Sequence, residues 1–308
     1  MLKDRIIATI HFFDLQDIPL TLFEVHKYLL ADMDVIKIRV NAAWEVTPGS
    51  TDEAAAGATL AEVQACLDSA GPDEIKSYRG YYYLPSRDEA FVTRRLHNYM
   101  YGIYRERVIA RHTRLLRYVP FLRSIGLVGS QALGQHKADS DIDVLVIVQP
   151  GYIWLARFFV TAYFQLAGVR RYGSHVANRF CLNHYLAGPK ALGQDRNMYT
   201  ASEYAKARAI YHAGVLNEFK QRNAEWIRLF FPNIVIFGDK KTAPPALKTF
   251  LETLFRNKFG RWLEQQAGRY QQRRIKRDEF VVVEEDELSF HPDNRKAQLF
   301  AAFFEHQQ

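Results

Sequence analysis

Two aspartates two residues apart, Asp141 and Asp143 in "SDIDVLVIV", are the side chains best placed to do chemistry. On a strand this spacing sends both from one face, while Ile142 and Val144 point the other way into a core. Two carboxylates so close repel each other, and away from water that repulsion raises a pKa. A divalent cation reverses the balance. Mg²⁺ takes oxygen ligands and usually completes its shell with waters and substrate phosphates. Ten residues upstream of this pair, Gly129 and Ser130 end the preceding apolar run. Gly129 permits close backbone approach, and Ser130 with the amides after it stands where a strand hands over to a short helix, a place that receives phosphate oxygens. Lys137, in the loop before Asp141, is the nearest cation. Asp139 would share the face only if the strand began early, and otherwise caps the loop.

The elements that must position these groups are readable from pattern. "LRSIGLV" and "IDVLVIV" are apolar strands, with a short helix expected around Ala132 between them. Pro150 and Gly151 close the second strand, a helix runs from Tyr152 to Val169, and "RFCLNHYL" makes a further strand. Before this core, residues 1–88 read as a small helical module. Helices are expected at "DRIIATIHFFDL", "TLFEVHKYLL" and "TLAEVQACLDSA", the last two with Thr21–Glu24 and Thr59–Glu62 at capping-box spacing. A short strand is expected at "VIKIRV", a mobile tip around Pro48 to Gly57, and a hairpin at "IKSYRGYYYLP" turning at Arg79 and Gly80. In that hairpin Tyr81 and Tyr83 should face the core and Tyr82 outward. Residues 89–117 form one long basic linking helix ending before Pro120, residues 118–192 the core, and residues 193–308 a C-terminal helical region with Thr200–Glu203 as a third capping box and a short strand in its tail.

The order helix, helix, helix, hairpin resembles a winged-helix domain. At "LVGSQALGQHKADSDIDVLV" the chain resembles the DNA polymerase β-like nucleotidyltransferase superfamily, whose pattern is an apolar residue, Gly-Ser or Gly-Gly, roughly ten residues, then carboxylate-apolar-carboxylate. The inner "SDIDVLV" is closest to small prokaryotic members. The resemblance implies an α+β fold with a mixed sheet at the core. It implies that Gly129 and Ser130 contact nucleotide phosphates, that Asp141 and Asp143 are catalytic metal ligands, and that two Mg²⁺ ions serve transfer of a nucleoside monophosphate from a nucleoside triphosphate to an acceptor hydroxyl with release of pyrophosphate. The acceptor is a nucleic acid or a protein.

Catalytic members usually supply a third carboxylate from a later strand, and here "ANRFCLNHYL" has Asn178, Asn183 and His184 but no acid. An amide cannot act as a base near neutral pH. His184 could, though a histidine among aromatics is more often structural, and Asp195 and Glu203 are the remaining acids to consider. The incomplete acid set motivates a second reading: a winged-helix nucleic-acid-binding regulator whose inactive core senses nucleotide.

Other signals have bland and sharp readings. The basic run Arg256 to Arg277 carries Phe259, Trp262 and Tyr270, which either stack on bases or face the core of an amphipathic helix. Arg79 could touch a DNA backbone from the tip of a wing. Arg157, Arg170, Arg171, Lys206 and Arg208 could neutralise a triphosphate if they reach the cleft, and are otherwise surface charges. The histidines lack zinc spacing, and neither a serine nucleophile elbow nor a dinucleotide fingerprint occurs.

Composition bounds these readings. With 308 residues, 48% hydrophobic and 24% charged, the chain can bury the cores of two or three domains. A net charge of +7 favours a polyanionic partner. Two cysteines support neither a disulfide framework nor a cysteine metal cluster, so a cytoplasmic protein is expected. The longest apolar run contains Arg157 and Gln165, and the N-terminal run ends at Asp14 without a cleavage site, so neither a membrane span nor a signal peptide is expected.

Overall fold

The computed structural model describes residues 1–40, 45–46, 57–192, 195–238, 243–275, 281–290, 298–299 and 302–304. The N-terminal module opens with helix α1 (Leu2–Asp14), followed by the short strand β1 (Leu20–Thr21) and helices α2 (Leu22–Lys27), α3 (Met33–Arg39) and α4 (Leu60–Ser69). Both capping boxes form. Thr21 accepts from the Glu24 amide and Thr59 from the Glu62 amide, and each glutamate reaches back to the cap backbone. The strand expected at "VIKIRV" is helix α3: Asp32 caps it by accepting from the Asp34 amide at 3.0 Å, and Ile36 faces the core. Local capping here overrides the β-branched residues. The tip at Pro48 to Ala56 lies outside the described residues.

Strands β2 (Lys76–Tyr78) and β3 (Tyr81–Tyr83) form the expected hairpin, with β1 completing an antiparallel sheet in the order β1-β3-β2. Arg79 and Gly80 turn it with φ of 50° and 78°, the left-handed pair that suits strand twist. Tyr83 is buried and Tyr81 packs beside it, but Tyr82 does not face outward. It packs against the larger core, because that sheet is covered on both sides.

Helix α5 (Glu89–Thr113) ends in a 3-10 turn at Arg114–Tyr118, so the linking helix breaks four residues earlier than expected. The main sheet follows: β4 (Leu122–Leu127), β5 (Ile142–Val148), crossover helix α6 (Ile153–Leu166) and β6 (Phe180–Ala187). Helix α7 (Met198–Lys206) then leads to β7 (Arg208–Tyr211), helices α8 (Ala213–Arg222), α9 (Ala224–Phe230), α10 (Ala246–Phe255) and α11 (Lys258–Gln272), and strands β8 (Val281–Val283) and β9 (Glu287–Phe290). The sheet is mixed, in the order β7-β4-β5-β6-β9-β8, with β5 and β6 parallel and the other pairs antiparallel. A parallel pair requires a long crossover, which α6 supplies.

Residues after 193 are therefore not only helical: β7, β8 and β9 all join the sheet. The third cap also differs, because α7 starts after Asn197, whose side chain accepts from the Thr200 amide. Two cores result. One joins the N-terminal module to α7, α8, α9 and one face of the sheet through residues such as Phe12, Leu145, Phe219 and Phe231. The other fills the opposite face, where Val144 and Val146 meet α6 through Val160 and Phe164. No described helix is long and apolar enough to cross a membrane.

Candidate functional site at the entrance of strand β5

Strand β5 has Ile142, Val144 and Val146 fully buried in the second core. Asp141 and Asp143 between and before them are only partly covered. Parallel pairing sets Asp143 opposite Cys181 on β6. The ligand atoms of Asp141, Asp143 and Cys181 all lie within 4.8 Å of one another. The third member of this group is thus a thiol and not a carboxylate. Burial, and then the negative charges of Asp143 and Asp141, push that thiol up to about 12, so it stays protonated. Arg171, from the loop between α6 and β6, spans the cluster: its Nη1 lies 2.5 Å from Asp141 Oδ2 and 3.3 Å from the Cys181 sulfur.

Gly129 carries φ of 68°, and a Cβ built there would meet Asp143 Oδ2 at 3.7 Å. The left-handed turn thus brings bare backbone alongside the carboxylate. The helix expected around Ala132 is a single 3-10 turn, Gly129–Leu133. Phosphate contact would rest on individual turn amides there, not on a helix dipole. The side chain of Ser130 lies outside the described residues.

The loop carrying Asp141 is held from beneath by Arg105 of α5, which is fully buried. Its guanidinium donates to the Lys137 carbonyl at 3.2 Å, to Ser140 Oγ at 2.9 Å and to the Ser140 carbonyl. Gln131 donates to the Asp141 carbonyl. Burial lowers the Arg105 pKa, opposed by Tyr101 and by the negative charges of Asp141, Asp143 and Asp139. Asp139 itself is exposed in the turn before β5, not on the strand.

A cavity of about 500 Å³ adjoins the cluster, lined by Gly129, Asp143 and Lys137, by Tyr199, Glu203 and Lys206 of α7, and by Gln16 and Asp17 after α1. Lys137 is exposed, with Nζ 3.7 Å from Asp17. Lys206 is buried, donates to Gln16 Oε1 at 3.3 Å, and is pushed down to about 8 by burial. Glu203 and Asp17 are the acids that tertiary folding brings to the cavity beside Asp143, and Asp17 already faces Lys137.

The other sequence candidates fall elsewhere. His184 sits three residues beyond Cys181 with Nε2 3.2 Å from Glu287 on β9, tying two strands together. Asn178 bonds Tyr101 of α5, and Asp195 accepts from Asn197. Arg157 is packed over Phe290 and bonds Gln271, Arg170 bonds Gln165, and Arg208 pairs with Glu106. On α11 the aromatics face solvent: Phe259, Trp262 and Tyr270 are all more than half exposed, while Leu263 and Ala267 pack against the second core and Gly260 and Gly268 are buried. Sequence reasoning missed Cys181, Arg105 and Gln131. Cys181 could have been found from "RFCLNHYL" only by aligning it with β5, and Arg105 carried no local signal.

Two carboxylates with oxygen donors suit a hard divalent cation, whereas the protonated thiol does not, so remaining ligands would have to come from substrate phosphates, water or Glu203. No curated protein and no solved structure matches the chain. Residues 113–177 match the family model described as nucleotidyltransferase domain, a span that holds β4, the glycine turn, both aspartates and the crossover helix. That segment is similar to nucleotidyltransferase domains, in agreement with the resemblance of its glycine turn and aspartate pair to the DNA polymerase β-like type.

Proposed function

We propose that the chain is a Mg²⁺-dependent nucleotidyltransferase that moves a nucleoside monophosphate from a nucleoside triphosphate to an acceptor hydroxyl, releasing pyrophosphate. The observation that carries this reading is that Asp143 and the Gly129 turn line one cavity with Asp141 close beside Asp143, inside the segment that matches the domain family.

In this reading Asp141 and Asp143 hold the cation, which when bound polarises the phosphates and lowers the pKa of the acceptor hydroxyl. The turn at Gly129 presents backbone amides to the triphosphate. Lys137 and Lys206 offset its charge, and Lys206 remains mostly protonated at neutral pH despite its burial. Glu203 takes the proton from the acceptor hydroxyl, whose oxygen forms the new bond to the α-phosphorus while the bond to the bridging oxygen breaks. Charge on the departing pyrophosphate falls toward the two lysines. Arg171 must release Asp141 or share it for the cation to bind.

The test is pyrophosphate release from each nucleoside triphosphate with Mg²⁺ and with nucleic-acid or protein acceptors. The double variant Asp141→Ala, Asp143→Ala should lose turnover completely. Equal turnover in wild type and variant would eliminate the assigned site.

One observation favours a second reading. With Cys181 in the third position and Arg171 on Asp141, the core would bind nucleotide without turning it over, and a winged-helix-like module in residues 1–88 would bind nucleic acid. Arg79, exposed at the hairpin tip, is the residue to mutate. Salt-dependent duplex binding that is lost in Arg79→Ala, with no pyrophosphate release under any condition, would establish it in place of the first.

A further inference from the structure

At the other end of the sheet lies a larger cavity, of about 850 Å³, that no step above uses. It opens where β4 begins and β5 ends. From Asp143 to Gln149 is six residues along β5, so it lies roughly 20 Å from the aspartates at ~3.3 Å per residue.

Among the described residues its wall carries five cations, Arg114, Arg117, Arg123, Lys248 and Arg256, and one carboxylate, Glu252. Glu252 is already committed. Arg123 grips it with two bonds of 2.7 and 2.8 Å, Arg256 adds one of 3.1 Å, and the Phe121 amide adds one of 2.8 Å. Arg114 and Arg117 have no carboxylate partner among the described residues. Lys248 is 2% exposed, and among the described residues its ammonium hydrogen-bonds to the Leu122 carbonyl and the Tyr211 hydroxyl, with the carboxylate of Glu252 near enough to act on it by charge. Burial, with Arg123 adding to it, pushes Lys248 down to about 8, which an anion would reverse.

The backbone repeats the message. Helices α8 and α10 both begin at this cavity, after His212 and Pro245, and neither N-terminus has a side-chain cap. Helix N-termini with free amides favour negative charge. A concave space of this size, walled by an excess of cations and by two helix starts, fits a compact polyanion; a flat macromolecular contact would not need the depth.

We propose that this cavity is a second ligand site, independent of divalent metal, for a small molecule bearing a polyphosphate chain. Phosphate oxygens would reach Arg114, Arg117 and Lys248, leaving the Arg123–Glu252 pair as the fixed floor. The site stands apart from the proposed transfer reaction and holds whichever way that reading is decided.

The test uses the full chain in EDTA, where metal-bridged binding at the aspartates is suppressed, with inorganic tripolyphosphate as the probe. Calorimetry should show saturable binding that weakens with salt, and the thermal midpoint should rise with ligand. Arg114→Glu with Arg117→Glu should weaken it about a hundredfold, since each charge-assisted contact is worth roughly a factor of ten. Both arginines are exposed, so the variant's midpoint without ligand should match wild type, and Arg114→Gln with Arg117→Gln offers a milder second pair. Asp141→Asn with Asp143→Asn should leave the affinity unchanged. The proposal is overturned by absence of saturable binding at millimolar probe, by binding that depends on the aspartates and not the arginines, or by a surface that takes single-stranded oligonucleotide but not tripolyphosphate.

Discussion

Cys181→Asp puts a third carboxylate opposite Asp143, and its cost can be worked from distances. The ligand atoms at 141, 143 and 181 lie within 4.8 Å of one another. Two unit charges at that separation repel by about 3 kcal/mol at an effective dielectric near 20. Repulsion from two neighbours is partly offset by Arg171, discounted because that side chain is 43% exposed. A net loss of about 3 kcal/mol follows without metal, with a ceiling of about 4 kcal/mol at pH 7 because the new carboxyl can always take up a proton from a reference pKa near 3.9.

The sign follows from linkage. The new group's folded pKa is raised, so its penalty is absent below the unfolded value near pH 4 and grows as pH rises through the folded value. For a chain of this size, about 3 kcal/mol lowers the melting midpoint by roughly 6 °C. Melting of wild type and Cys181→Asp at pH 5 and 7.5, in EDTA and in Mg²⁺, measures all of it. The deficit should be larger at pH 7.5, and Mg²⁺ should erase it in the variant while moving wild type less. An unchanged midpoint in EDTA, together with no Mg²⁺ response, would refute the convergence of the three side chains and the cation site with it.

Three further outcomes are expected. Arg171→Gln removes the guanidinium from Asp141, so the Mg²⁺ concentration giving half of the thermal shift should fall about tenfold, the worth of one charge-assisted contact; an unchanged midpoint concentration would mean that Arg171 does not compete with the cation. Arg105→Met removes three charge-assisted hydrogen bonds from the Asp141 loop and should cost about 3 kcal/mol by denaturant melts, with Arg105→Lys recovering only part because a point charge cannot bridge the fork. A Met variant as stable as wild type would remove Arg105 from its supporting role. Lys206 falls from 10.5 to about 8 on folding, so its burial penalty is full below pH 8 and is relieved as pH rises from 8 toward 10.5. Relative to Lys206→Met, wild type should gain about 3 kcal/mol across that window, and a flat difference would show that the amine is solvated.

What the sequence alone determined is local. Alternation in "IDVLVIV" marked which face of β5 is charged, and the caps at Thr21 and Thr59 and the turn at Arg79 and Gly80 were legible because partners lie within a few residues. Where two local signals competed, as at "VIKIRV", the side-chain cap at Asp32 won over β-propensity. The match over residues 113–177 agrees with what the spacing of glycine and aspartates implied.

Tertiary structure decided the rest. Cys181 faces Asp143 only through the register of two parallel strands separated by a crossover helix, and one residue of slip would have offered Leu182 or Phe180 instead. Arg105 reaches the Asp141 loop, and Glu203 the cavity, because α5 and α7 pack where two cores require them. The five cations of the distal cavity come from three separate stretches, the 3-10 turn after α5, β4, and α10 with its C-cap, and none is distinctive where it stands in the chain. Faces are written in short-range periodicity; register and convergence are settled by which long-range packing buries the most apolar surface without stranding a polar group.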